Sequence, residues 1–198
     1  MHSKKTLEDL GYQVFYEVLN AKSFGLPQNR ERIYIVAFLR EAFTNPIAFN
    51  FASLKELRIE SRVGDILENN VDKKYTISNR LWQGHQRRKK GHRLKGNGFG
   101  YSLFNADSSH TSTISARYYK DGSEILIEQK CRNPRKPTPR EAGRLQGFRD
   151  DFKIVVSDTQ AYKQFGNSVA IAVVERIADM IRMELYSLLF FSRAWIMV

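Results

Sequence analysis

Pro27-Gln28-Asn29-Arg30-Glu31-Arg32 runs without a break into Ile33-Tyr34-Ile35-Val36. The second half is β-branched and aromatic, the composition of a strand. Residues 13–19 read as a second strand, and the loop between the two carries Gly25-Leu26-Pro27-Gln28. Before them, residues 4–10 read as a short helix stopped by Gly11. Alternate side chains of an extended chain share a side, so Gln28, Arg30 and Arg32 are expected to converge on one site. A guanidinium there suits a phosphate or the carbonyl oxygen of a base. The same pattern also describes an exposed, salt-bridged strand edge.

Downstream, residues 40–131 are irregular, with short apolar runs broken by Gly, Asn and Ser, and read as a separate, mostly β and loop-rich module. Helix signals follow. Thr138-Pro139-Arg140-Glu141 places a capping threonine, a proline at the first helical position and a glutamate at the third. Ser157-Asp158-Thr159-Gln160 repeats the capping logic for a helix expected to stop at Gly166. Asn167 or Ser168 is then expected to cap a long helix. Its apolar positions Val169, Val173, Ile177 and Ile181 recur every fourth residue and give one buried face.

The chain has 198 residues, with 32 Lys+Arg against 21 Asp+Glu, for a net charge of +11. This excess favours a polyanionic partner, because each neutralised phosphate releases counterions. A basic surface on a soluble enzyme is the blander alternative. The single cysteine, Cys131, rules out an internal disulfide framework and a multi-cysteine zinc site, and no metal site is expected. No apolar run has the length of a membrane span, so a cytoplasmic, nucleoid-associated protein is expected. The apolar tail, residues 183–198, reads as a docking strip or an out-of-frame run-on.

Two further motifs complete the pattern. In Pro139-Arg140-Glu141-Ala142-Gly143-Arg144-Leu145-Gln146-Gly147-Phe148, Arg140 and Arg144 stand one turn apart, which alone is an ordinary charged helix face. In Ala161-Tyr162-Lys163-Gln164-Phe165-Gly166-Asn167-Ser168-Val169, a Gly-Asn-Ser turn meets a helix start. Such a turn can donate backbone N–H groups to an anion, or simply join two helices. The three motifs in this order, the first two separated by a stretch of about a hundred residues (33–138), resemble the last conserved motifs of the bacterial DNA (cytosine-5)-methyltransferases. The resemblance covers residues 7–182.

The resemblance implies roles for these residues. Gln28, Arg30 and Arg32 match the motif lining the flipped-cytosine pocket, with Arg32 near the base's O2. Arg140, Glu141, Arg144 and Gln146 match the motif that organises the target recognition domain. Asn167, Ser168 and Val169 match the motif that helps close the S-adenosylmethionine pocket. The family's nucleophile is a cysteine in a Pro-Cys pair, whereas Cys131 sits in Gln129-Lys130-Cys131-Arg132. Glu68-Asn69-Asn70-Val71 has one residue too many for the family's Glu-Asn-Val triplet and falls after the strand motif instead of before it. Gly96-Asn97-Gly98-Phe99-Gly100 opens no helix and fails as a cofactor loop. The chain is therefore expected to be inactive alone, and to correspond to the C-terminal portion of the family.

Between residues 78 and 96, Arg80, Arg87, Arg88, Lys89, Lys90, Arg93 and Lys95 occur with no acid, interleaved with Trp82, His85 and His92. A solvated basic helix and a DNA-backbone contact both fit, and phosphate contact suits the family. Residues 96–101 read as a flexible loop able to approach a groove, and residues 111–127 as a hairpin turning at Asp121-Gly122. The latter is similar to recognition segments that read short C/G-rich sites such as CCWGG or CCNGG, with Arg117 or Lys120 facing guanine.

The expected class is α/β: an edge strand pair and C-terminal helix of a methyltransferase catalytic domain flanking a small β-rich, loop-rich recognition domain. The expected boundaries are 1–40 for the catalytic edge, 41–131 for recognition, 132–182 for the hinge helix and return, and 183–198 for the tail. The expected partners are double-stranded DNA and a possible N-terminal methyltransferase subunit, with S-adenosylmethionine as co-substrate in a restriction–modification system. An inactive remnant that at most binds DNA is the alternative.

Overall fold

The computed structural model describes residues 2–43, 45–98 and 100–193 in backbone, and the side chains of residues 4–186 outside positions 44 and 99. In chain order the elements are α1 (His2–Asp9), β1 (Tyr12–Asn20), β2 (Glu31–Leu39), α2 (Ala52–Lys55), α3 (Asn79–Leu94), β3 (Leu103–Phe104), β4 (Leu126–Ile127), α4 (Pro139–Leu145), α5 (Asp158–Asn167) and α6 (Ile171–Arg193). The class is mixed α/β, with small sheets joined by long loops.

Two compact units form. One gathers Met1–Asn20, Glu31–Arg58 and Val173–Val198, and the other Ala21–Arg30 and Ile59–Ala172. Both are discontinuous in sequence, and their bounds differ from the expected ones. Residues 41–58 join the strand pair and residues 132–172 join the recognition region.

In the first unit β1 and β2 pair antiparallel in unbroken register, from Tyr12 opposite Leu39 to Asn20 opposite Glu31. Alternation splits their side chains between two faces. One face sets Phe15 and Phe38 against Phe49, with ring centroids 5.3 and 5.5 Å away, and Phe51 extends the stack. The other face presents the cross-strand pairs Tyr16–Ile35 and Val18–Ile33. These four are 46–58% exposed. From Val173 onward α6 belongs to this unit, with Val173 and Ile177 buried as the four-residue spacing requires. Val169 lies before α6 begins and is exposed, so the helix starts later than the expected cap at Asn167 or Ser168. Asn167 is instead the last residue of α5. Of the expected apolar tail, the side chains from residue 187 onward lie outside the described residues.

The second unit is built on Ile114, Tyr118, Ile125, Leu145, Ala161 and Phe165, with Val63 and Ile66 among the same buried cluster. Tyr118 donates its hydroxyl to the Ile125 carbonyl and Tyr162 to the Pro137 carbonyl, which satisfies both buried phenols. Strand content is slight: β3 and β4 are two residues each and pair in parallel. The hairpin expected at Asp121-Gly122 does not form. Residues 116–121 are consecutive turns, and β4 finds its partner in β3. Thr138 caps α4 in a reciprocal box with Glu141, and Ser157 caps α5.

Candidate functional site

Gln28 and Arg30 do not lie on a strand. They sit on a segment that runs beside residues 111–114, where Asn29 N donates to Thr111 O and Thr111 N to Pro27 O. Both side chains turn inward. The Gln28 amide donates to Leu145 O at 2.9 Å and accepts from Ile114 N at 2.9 Å, and the residue has no exposed surface. The Arg30 guanidinium donates to Ile114 O at 3.1 Å, Gly166 O at 3.3 Å and Ser168 O at 2.8 Å. Two residues of the first motif thus fasten the end of the second, at Leu145, to the turn of the third, at Gly166–Ser168. Most buried polar groups are paired, and this pairing explains why amide and guanidinium are used here. Gln28 and Arg30 thus meet at Ile114, the first accepting from its N–H and the second donating to its carbonyl.

Arg32 differs. It lies on β2, in the other unit, is exposed, and donates one N–H to the Glu31 carbonyl at 2.6 Å. It alone of the three presents a guanidinium outward.

The second motif is also an internal brace. Glu141 is fully buried and its carboxylate accepts four hydrogen bonds: two from Arg135 at 2.6 and 2.8 Å, one from Thr138 N and one from Glu68 N, both at 2.8 Å. Four donors to one carboxylate compensate its desolvation, as an ion pair alone often fails to do. Arg144 clasps Asp150 through two bonds of 2.8 Å and donates to Ile66 O. The Asp150 carboxyl is held below its ordinary range by the Arg144 hydrogen bonds. Arg140 donates to Arg149 O and Phe152 O. Gln146 is fully buried, and its backbone carbonyl accepts from Ile171 N at the start of α6. These residues tie α4 to the loop at 66–68 and to residues 149–152, within one unit.

At the third motif, a Cβ on Gly166 would lie 2.3 Å from the Ser115 carbonyl oxygen. Only glycine allows that approach. Ser168 Oγ donates to Phe165 O, and the side chains of Asn167 and Val169 are exposed beside it. The turn is therefore rigid in backbone and open in side chain.

Sequence reasoning missed two groups. Arg135, the partner of Glu141, carried no motif signal, because the pair is joined by folding. Asp121 likewise accepts from Arg88 at 2.6 Å and from Ser123 N and Oγ. Burial opposes ionisation of Asp121, but those hydrogen bonds outweigh it and hold its carboxyl below the ordinary value. Arg117 and Lys120 are exposed on the same run of turns. The basic stretch is indeed a helix, α3, capped by Ser78, with Arg80, Arg87, Arg88, Lys89 and Lys90 exposed and His85 buried. Residues 68–72 line an open polar cleft of about 590 Å³ closed by Gln129, Arg132 and Arg135. Glu68 there accepts from the Thr138 hydroxyl, so it is engaged in the fold. Cys131 is exposed, at φ 56°.

This chain belongs to the C-5 cytosine-specific DNA methylase family, whose model matches residues 2–183. It is 64% identical over 178 residues to the Type II methyltransferase M.SsoII of Shigella sonnei, covering 90% of this chain and 46% of that protein. It is 38% identical over 210 aligned positions to the DNA-cytosine methyltransferase of Escherichia coli strain K12, covering 89% of this chain and 44% of the other. The chain thus spans about half the length of the curated relatives it matches. Among solved structures, the Dnmt2 methyltransferase of S. pombe has the same fold at a TM-score of 0.72 and 21% identity, over 92% of this chain and 62% of that one.

Proposed function

We propose that the chain is the C-terminal, DNA-recognising portion of a DNA (cytosine-5)-methyltransferase in a restriction–modification system acting on cytoplasmic, nucleoid DNA. The intact reaction moves a methyl group from S-adenosylmethionine to C5 of a flipped cytosine, and the C5 proton leaves. The observation that carries this reading is the junction at Gln28 and Arg30, where three motifs distant in sequence meet through buried hydrogen bonds. A braced junction of this kind belongs to a working scaffold.

In this reading, Arg32 donates to the cytosine O2, a contact its exposed guanidinium suits. Gln28 and Arg30 act by position, holding the pocket wall. Arg140, Glu141, Arg144 and Gln146 hold the recognition domain in shape. The exposed Asn167 and Val169, on a turn fixed at the Ser168 carbonyl, form one rim of the S-adenosylmethionine pocket. Arg117 and Lys120 read a short C/G-rich site. Nucleophile, N3 partner and cofactor loop come from the remaining half of the enzyme, on a second polypeptide or the rest of a longer one. The apolar pairs Tyr16–Ile35 and Val18–Ile33 support the need for that half, since they leave one sheet face uncovered.

The test is methyl transfer from labelled S-adenosylmethionine to a duplex carrying CCNGG. The chain alone is expected to be inactive, and the chain mixed with the N-terminal portion of a close relative active. Arg32→Ala should abolish the restored activity while still co-purifying, and Asn167→Ala should weaken it less. Methylation by the chain alone overturns the division of labour. Full activity of assembled Arg32→Ala overturns the role given to that side chain. Failure to associate with any N-terminal portion favours an inactive remnant.

A further inference from the structure

Seven cations stand on α3 and its C-cap, and their surroundings do not treat them alike. Arg88 donates to the Asp121 carboxylate at 2.6 Å, joining α3 to the turns at 116–121. Lys89 donates to Tyr101 O at 3.1 Å, and its ammonium lies 4.2 Å from the centre of the Tyr101 ring. The backbone at Gly100 rests on the stem of Lys89, since a Cβ there would lie 2.8 Å from its Cγ. Trp82 packs edge-on against the same tyrosine, at 4.6 Å between ring centres.

The side chains of Arg80, Arg87, Lys90, Arg93 and Lys95 make no hydrogen bond or ion pair with any described residue. On a helix of 3.6 residues per turn, Arg80, Arg87 and Lys95 fall on one stripe with Gly84 and Gly91 between them, and Lys90 and Arg93 fall to one side of it. A Cβ at either glycine would meet nothing within 4 Å, so the stripe is unobstructed.

We infer that the phosphate-contacting face of α3 is the stripe Arg80, Arg87 and Lys95, whereas Arg88 and Lys89 are positioning residues that hold residues 116–123 and 100–101 to the helix. The inference rests on the reading that the partner is duplex DNA, which complements the charge of the stripe. An arginine already paired with a carboxylate has little net charge to offer a phosphate, so it contributes little to counterion release. An exposed ion pair by itself contributes little stability either. Asp121 is held at other points as well, through Ser123 N and Oγ, so the Arg88 bond adds orientation to a loop already shaped. Arg117 and Lys120 ride on that loop. The two functions then share one helix: the unpaired cations of the stripe grip the backbone, and the paired ones hold the loops.

Full chains are compared for binding to a generic duplex oligonucleotide across a salt series, and for amide exchange. Replacing Arg80, Arg87 and Lys95 together with Gln should reduce the slope of log K against log salt by about 0.9 for each phosphate no longer neutralised, up to about 2.7. Exchange at 116–123 should stay as in the parent chain. Arg88→Gln should leave the slope nearly unchanged and speed exchange at 117–123, and Arg88→Asp with Asp121→Arg should restore protection. An Arg88→Gln variant whose slope falls as far as that of Arg87→Gln overturns the division. A stripe variant with the parent slope overturns the stripe. A parent chain that binds no duplex overturns the DNA reading and the stripe together, while the Arg88 latch is then decided by exchange alone.

Discussion

Arg30 shows how much one residue does here. Its guanidinium serves three carbonyls, at Ile114, Gly166 and Ser168, and the first two bonds are buried. Hydrogen bonds from a charged donor contribute about 1.5–3 kcal/mol each, and they are not additive when shared. Arg30→Ala should therefore destabilise the chain by about 3 kcal/mol or more, and Arg30→Lys should recover only part, because an ammonium lacks the planar fork. Arg32→Ala, two positions on, should lie within about 0.5 kcal/mol of the parent, as expected of an exposed side chain. Urea unfolding measures both. Equal stability of the Arg30 and Arg32 variants would show that the junction braces nothing.

At the scale of elements, caps were legible because they are local. Thr138 and Ser157 sit where a hydroxyl reaches an N–H three residues on. The two are not equivalent in energy. Ser157 Oγ accepts only from Gln160 N, at 3.4 Å, whereas Thr138 exchanges bonds with Glu141 and also donates to Glu68. Ser157→Ala should cost about 1 kcal/mol or less, and Thr138→Ala about 2 kcal/mol. Thermal unfolding of the two variants checks the order, and a larger effect at Ser157 would contradict it. What local signals misjudged was the start of α6. The run Asn167-Ser168-Val169 looks like a cap followed by a helix, but Ser168 closes α5, its carbonyl is held by Arg30, and α6 begins at Ile171. The expected hairpin failed for a similar reason. The Asp121 carboxylate is taken up by Arg88 and Ser123, and β4 pairs with β3, neither of which a turn signal can register.

For the molecule as a whole, acid stability follows from His85. Burial lowers its pKa below the ordinary value, so the folded chain resists a proton that the unfolded chain accepts. Arg88 and Lys136 disfavour that proton further, while Asp121 favours it. Stability from this residue is full above the ordinary histidine range and falls as pH drops through about 6.5. His85→Gln should flatten the stability–pH curve between about pH 7 and 5. An unchanged curve, followed by chemical unfolding at several pH values, would show that His85 is accessible to protons. No described helix is long and apolar enough to cross a membrane, in keeping with the hydropathy of the sequence.

By itself the sequence determined whatever depends on spacing. The paired strands, α3, α4 and α5, the caps, the excess positive charge and the order of three motifs were all readable, because helix and strand periods and capping chemistry act over a few residues. Only the tertiary structure decided which polar residues face inward. Gln28 and Arg30 read as pocket-lining residues, and their side chains are buried braces whose partners Leu145, Gly166 and Ser168 lie more than a hundred residues away. Likewise Glu141 read as a helix cap, and it became the centre of a four-donor cluster once Arg135 and Glu68 folded onto it. A buried polar group is usually paired, but no local rule names a partner that the folded chain brings from elsewhere.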